Sequence, residues 1–187
     1  MTSTLPTGID PHAPMSETLA VYPNAQRALF RKYHVGGCSS CGFAFTESLA
    51  QICARNSHMV LEEVLDFLHT SQEEDRAMQI TPEELHAAMR TGEPAPLHLL
   101  DIRTREEYEA VHVEGAELFS QERMNSILMD WPRDRGLVVL IDHQGTRSLD
   151  AAAYFGGHGF TNVKALLGGL DAWSQQVDPS LPRYRME

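Results

Sequence analysis

The chain has 187 residues, of which 42% are hydrophobic and 22% charged, with a formal net charge of −11. Those fractions exclude a disordered polymer, and the length suits one ordinary domain with a small second one. Both halves are acidic and neither carries a basic run, which argues against nucleic acid and anionic membrane as partners.

Residues 1–17 read as a flexible tail, because they lack the charged and apolar regions of a signal peptide. No stretch approaches the roughly 20 apolar residues of a membrane span, so the expectation is a soluble, cytoplasmic protein. A first helix is predicted from Pro23 at its first position, with Leu29 and Phe30 supplying the apolar face and Gly36-Gly37 stopping it near Tyr33. A loop bearing Cys38 and Cys41 follows. A second helix is predicted with Thr46 as its cap and Glu47 in its first turn, where a carboxylate complements the dipole. Leu49, Ile52 and Cys53 form its buried stripe, which makes Cys53 a core residue. A third helix is predicted over 60–69, with Val60, Val64, Leu65 and Leu68 on one face. Residues 18–70 thus form a small all-α unit, marginal in size for independent stability. Residues 71–77 are polar and acidic and read as a linker.

From 78 to 187 the pattern changes to alternating strands and helices. Strands are predicted at 78–80, 97–102, 115–119, 137–141 and 163–166. The helices between and after them are predicted to start at Pro82, with Thr81 as cap, and to span 105–110, 121–129, 149–155 and 170–175. This alternation implies an α/β fold, a parallel sheet with helices on both faces. Ligands bind such sheets outside the carboxyl ends of the strands. The apolar run Leu137-Val138-Val139-Leu140-Ile141 empties there into Asp142-His143-Gln144-Gly145-Thr146-Arg147-Ser148, with Ser148 expected to cap the helix that follows. A buried strand, a glycine-containing loop and a helix N-terminus present a cup of backbone N–H groups, a place that holds an anion.

Further motifs follow one another in a recognisable order. They are Ile80-Thr81-Pro82-Glu83-Glu84-Leu85, Leu100-Asp101-Ile102-Arg103, Glu106-Glu107-Tyr108, and His112-Val113-Glu114-Gly115-Ala116. Gly159-Phe160, Asn162-Val163 and Leu167-Gly168-Gly169 with Trp173 close the series. With the central loop, they make 78–181 resemble a single rhodanese domain, whose loop pattern is Cys-x-x-Gly-x-Arg-Ser. The resemblance implies a cysteine thiolate in the cup that accepts sulfur as a persulfide and passes it to a thiol or cyanide. Asp142 stands in the place of that cysteine and supplies an anion without a nucleophilic sulfur. The implied role is recognition, with thiosulfate repelled. A merely structural loop, or Asp142 as a new nucleophile or base assisted by His143, are the competing readings. Asp101 and Arg103 are expected to tie loops together as an ion pair and His112 to pack in a turn, while Arg147 is expected to hold either an anion or Asp142 itself, the internal pair being favoured slightly.

Upstream, Tyr22-Pro23, His34, Gly36-Gly37, Cys38-Ser39-Ser40-Cys41, Gly42-Phe43 and Glu47-Ser48-Leu49 resemble the small redox-disulfide domain associated with hybrid-cluster proteins. Three readings of Cys38 and Cys41 compete: a reversible disulfide or persulfide pair, half of a metal site, or two inert thiols. A zinc ion or an iron–sulfur cluster would need further ligands from a homodimer, Cys53 or a histidine such as His34. At the level of function, a sulfur or redox relay through Cys38 and Cys41 with a protein partner stands against two other classes. These are a non-enzymatic adaptor in sulfur or iron–sulfur metabolism and a metal-binding dimer.

Overall fold

A computed structural model describes residues 8–36, 42–92, 96–132 and 136–183. The chain divides into two units, 1–75 and 76–187. The described part of the first contains α1 (Met15–Val21), α2 (Ala25–Tyr33), α3 (Leu49–Arg55) and most of α4 (Leu61–Ala77). One core joins them, built from Met15, Ala25, Ala28, Leu29, Leu49, Ile52, Cys53, Val64, Leu65 and Leu68.

Several expectations for this unit need correction. The predicted tail already contains structure: Ile9 and Met15 are buried, and α1 begins at Met15. Its start is tied down by Met15 N–H donating to Glu47 O at 2.7 Å and Ser16 N–H to Phe45 O at 3.0 Å. α2 ends at Tyr33 as expected, but His34 itself adopts the left-handed conformation (φ 57°) that closes it. Phe30 is exposed, and the buried face is Ala25, Ala28 and Leu29. Ser48 caps α3 instead of Thr46, in a reciprocal box with Gln51. Val60 lies outside α4 and is exposed.

The stretch 71–77, expected as a linker, is the last part of α4, with Ser71, Gln72 and Asp75 buried. Their polarity is matched by partners on other helices. Asp75 accepts from Tyr22 Oη at 2.8 Å and from Arg27 Nη2 at 2.6 Å, while Gln72 Nε2 donates to Val21 O at 3.0 Å. Burial, reinforced by the Asp75 carboxylate, pushes the Tyr22 phenol well above its ordinary pKa. Tyr22→Phe is expected to destabilise this unit by about 1–3 kcal/mol, since Asp75 stays buried with one donor fewer. Urea unfolding followed by circular dichroism checks it.

The second unit holds β1 (Gln79–Ile80), α5 (Pro82–Thr91), β2 (Leu97–Asp101), α6 (Arg105–Ala110), β3 (Glu117–Leu118) and α7 (Gln121–Asp130). It continues with β4 (Leu137–Ile141), α8 (Thr146–Gly157), β5 (Val163–Leu166) and α9 (Gly169–Gln176). The strands form one parallel sheet in the order β1-β5-β4-β2-β3. Side-chain alternation sorts the core into two layers. Leu137, Val139 and Ile141 of β4 meet Leu85 of α5 and Leu170 and Trp173 of α9. Val138 and Leu140 meet Ile127 of α7 and Leu149, Ala152 and Phe155 of α8. An uninterrupted apolar strand is what burial on both faces requires.

Helix starts are marked by side chains. Thr81 with Glu84 and Thr104 with Glu107 form capping boxes at α5 and α6. The ends of β2 and β4 lie level, with Asp101 opposite Ile141. The residues that leave those ends, Arg103 and Asp142, therefore emerge side by side at the carboxyl edge of the sheet. Among the described residues, no helix is long and apolar enough to cross a membrane.

Candidate functional site

The loop after β4 curls around the carboxylate of Asp142. Asp142 is only 3% exposed. Its Oδ1 accepts from Gly145 N–H at 2.7 Å and from the Ser148 hydroxyl at 2.8 Å, and its Oδ2 accepts from Arg147 N–H at 2.9 Å. The side chain thus fills the cup of donors that the sequence pattern implies, at the N-terminal end of α8 where the dipole also favours negative charge. Ser148 is not the helix cap. Gly145 holds that position at φ 84°, so α8 starts at Thr146 and Ser148 sits in its first turn, free to turn its hydroxyl onto the carboxylate.

A second segment braces the loop from behind. Leu170 N–H donates to Asp142 O at 2.9 Å and Asp171 N–H to His143 O at 3.1 Å. This approach leaves no room for side chains at two glycines. A Cβ on Gly145 would lie 2.7 Å from Gly168 N, and one on Gly169 (φ 60°) would lie 2.5 Å from Asp142 O. Gly169→Ala is therefore expected to cost on the order of 3 kcal/mol by strain and overpacking, read as a lowered thermal midpoint. At the edge of this brace, hydrogen bonds from the Arg183 guanidinium hold the Asp171 carboxyl below the usual aspartate range, and the nearby His143 acts in the same direction.

Beside the loop, Asp101 and Arg103 form the expected ion pair, both buried. Arg103 Nε lies 2.9 Å from Asp101 Oδ1, and Nη2 lies 2.6 Å from Oδ2 and 2.6 Å from Val111 O. His112 packs in its turn, stacked on Tyr108 with Nδ1 2.8 Å from Tyr108 O. Above Asp142 opens a cavity of about 150 Å³ lined by Arg103, Glu107, His143, Gln144, Thr146 and Arg147. His143 is buried, whereas Gln144, Thr146 and Arg147 are exposed. The expected ion pair between Arg147 and Asp142 is absent among the described residues, where the backbone N–H of Arg147 makes the contact with the carboxylate instead. Glu107 is a lining residue that sequence reasoning did not single out. Its signal was the motif Glu106-Glu107-Tyr108, which carried no hint of which glutamate lines the cavity.

Of the three cysteines, Cys53 lies in the core, and burial raises its thiol pKa. Cys38 and Cys41, together with every metal or disulfide reading of them, fall outside the described residues.

The family model described as "Rhodanese-like domain" matches residues 81–176. Among curated relatives, the probable adenylyltransferase/sulfurtransferase MoeZ of Mycobacterium tuberculosis is 36% identical over 107 residues, 56% of this chain and 26% of that protein. The chain therefore spans about a quarter of the length of that relative. The thiosulfate sulfurtransferase GlpE of Pseudomonas entomophila is 32% identical over 95 residues, 51% of this chain and 83% of GlpE. Among solved structures, a rhodanese-like domain from Anabaena sp. is similar at 23% identity and a TM-score of 0.46, over 59% of this chain and 87% of that one.

Proposed function

This chain belongs to the rhodanese-like domain family, and on that premise we propose that it is a member whose loop recognises a partner while sulfur or redox traffic passes through Cys38 and Cys41. The observation that carries the reading is the Asp142 carboxylate, which takes three donors in the position where the family pattern has a thiolate. Oxygen at that point cannot accept and hold a sulfane sulfur as a thiolate does. Its fixed charge also opposes an incoming thiosulfate: two like charges about 4 Å apart repel by about 4 kcal/mol near a protein surface.

The relay half of the reading rests on the sequence pair and on the elimination of Cys53, whose thiol is buried and hard to ionise. In such a relay, one upstream thiolate attacks the outer sulfur of a partner's persulfide, and the partner leaves as a thiolate. The second thiol then attacks the inner sulfur of the new persulfide, closing a disulfide and releasing hydrosulfide. The sulfur chemistry named for the MoeZ and GlpE relatives supports placing the chain in this kind of exchange.

The test treats the full chain with glutathione persulfide, alkylates it with and without prior reduction, and maps the cysteines by mass spectrometry. The reading expects an added sulfur or a reducible disulfide on Cys38 and Cys41, with Cys53 unmodified until the protein is unfolded. Upstream thiols that ignore the persulfide would remove the relay and favour an adaptor that only binds.

A further inference from the structure

α9 begins differently from the helices that carry a capping box. In α3, α5 and α6 the third residue, Gln51, Glu84 or Glu107, folds its side chain back onto the backbone of the cap. In α9 the cap is Gly168, no side chain serves it, and the third residue is Asp171. The free N–H groups of this first turn go to the loop instead, Leu170 N–H to Asp142 O and Asp171 N–H to His143 O. The Asp171 carboxylate is engaged elsewhere. Its Oδ1 accepts from Arg183 Nε at 2.8 Å, and its Oδ2 accepts from Arg183 Nη2 at 3.2 Å and from Gln175 Nε2 at 2.8 Å. Arg183 arrives on a strap that turns back after α9. Leu181 N–H donates to Asp178 O at 3.2 Å, and Val177 and Leu181 pack against the core that contains Trp173.

We propose that Arg183 is a salt-sensitive latch on the Asp142 loop, closed while it holds the Asp171 carboxylate and open when that pair parts. The inference rests on the recognition reading of the loop and names how the loop is regulated. A carboxylate at the third position of a helix is drawn to the free N–H groups and the positive dipole end of its own first turn. Held by Arg183, it does not compete for them. Released, it contends with Asp142 O and His143 O for the same donors, and the loop loses its brace. The two-pronged contact gives the closed state its geometry. The side chains of Arg183 and Asp171 are 55% and 27% exposed, so water and salt weaken their attraction and make the pair easy to part. Gln175 adds a neutral bond to the same carboxylate, weaker than the charged ones.

The test follows the carbonyl ¹³C signals of Asp142 and His143, which report the bonds from α9, in the isotope-labelled full chain. Sodium chloride is raised from about 0.01 M to about 1 M, which shortens the reach of exposed charges about tenfold. The expected result is that both signals move together, with the open share rising about twofold to fivefold. Arg183→Ala is expected to hold the open positions already at low salt and to lose the salt response, while Arg183→Lys keeps part of it. The decisive variant combines Arg183→Ala with Asp171→Asn. It lacks the competing charge, so both carbonyl signals are expected to return toward their closed positions. A role for Arg183 in packing alone predicts no such rescue. Unmoved carbonyl signals in Arg183→Ala, or signals that stay at the open positions in the double variant, would overturn the proposal. No ligand enters this measurement, so its outcome is separate from that of the recognition reading, which fails instead on thiosulfate turnover at the unaltered loop.

Discussion

Asp142→Cys is expected to raise thiosulfate:cyanide sulfurtransferase activity far above that of the unaltered loop. The donors are already in place: Gly145 N–H, Arg147 N–H and the Ser148 hydroxyl converge on this side chain at 2.7–2.9 Å. A cysteine sulfur would sit near the present Cγ, one bond short of the carboxylate oxygens, and its larger radius makes up much of that difference. The same donors and the helix dipole would then favour the thiolate, and the fixed charge that repels thiosulfate would be replaced by one that can attack it. Single donors in comparable anion cups are worth about 10²–10³ in rate, so an intact cup should lift thiocyanate formation at least about a hundredfold above background. A folded variant that stays inert would mean that the loop has been reshaped beyond the exchange of one side chain.

The largest loss of stability is expected from Asp101→Ala. Its side chain is 0% exposed and that of Arg103 1% exposed, so removing the carboxylate strands a guanidinium in the interior. Breaking a buried pair from one side costs about 3–5 kcal/mol, a large share of the 5–15 kcal/mol or so that holds an ordinary domain together. Arg103 also donates to Val111 O, which couples the end of β2 to the turn after α6, so the damage should spread to that turn. The double variant Asp101→Leu/Arg103→Met is expected to be less destabilised than Asp101→Ala, because no charge is left without its partner. Urea midpoints of the two variants decide the point.

The second unit was largely legible because its signals are local and mutually consistent. Thr81 and Pro82 announce a helix start, Leu137–Ile141 can only be a strand covered twice, and 163–166 alternates with the helices around it. What escaped was whatever depends on a distant partner. Residues 71–77 look like a linker until Tyr22, Arg27 and Val21 O are seen to satisfy Asp75 and Gln72. Phe30 and Val60 were assigned to apolar faces by spacing, although their neighbours alone fill those faces.

At the site, the occupied cup could be foreseen from Asp142, Gly145 and Ser148, since all three lie within one turn of chain. The bracing of that loop by Gly168 and Gly169, and the place of Glu107 on the cavity wall, could not. They arise from segments that meet only once the sheet has closed. Ser148 misled for a related reason. A hydroxyl near a helix start usually accepts from the backbone as its cap, whereas here the helix begins earlier, with Gly145 at the cap, and the Ser148 hydroxyl donates to the carboxylate.

The most direct measurement is thiosulfate:cyanide turnover by the full chain carrying Cys38→Ser and Cys41→Ser, with its fold verified. The upstream thiols are then removed while Asp142 keeps its place in the cup, and the account predicts background rates. Robust turnover by that variant would show that the loop performs sulfur transfer without a thiol of its own, and would contradict the claim that its carboxylate is there to recognise rather than to react.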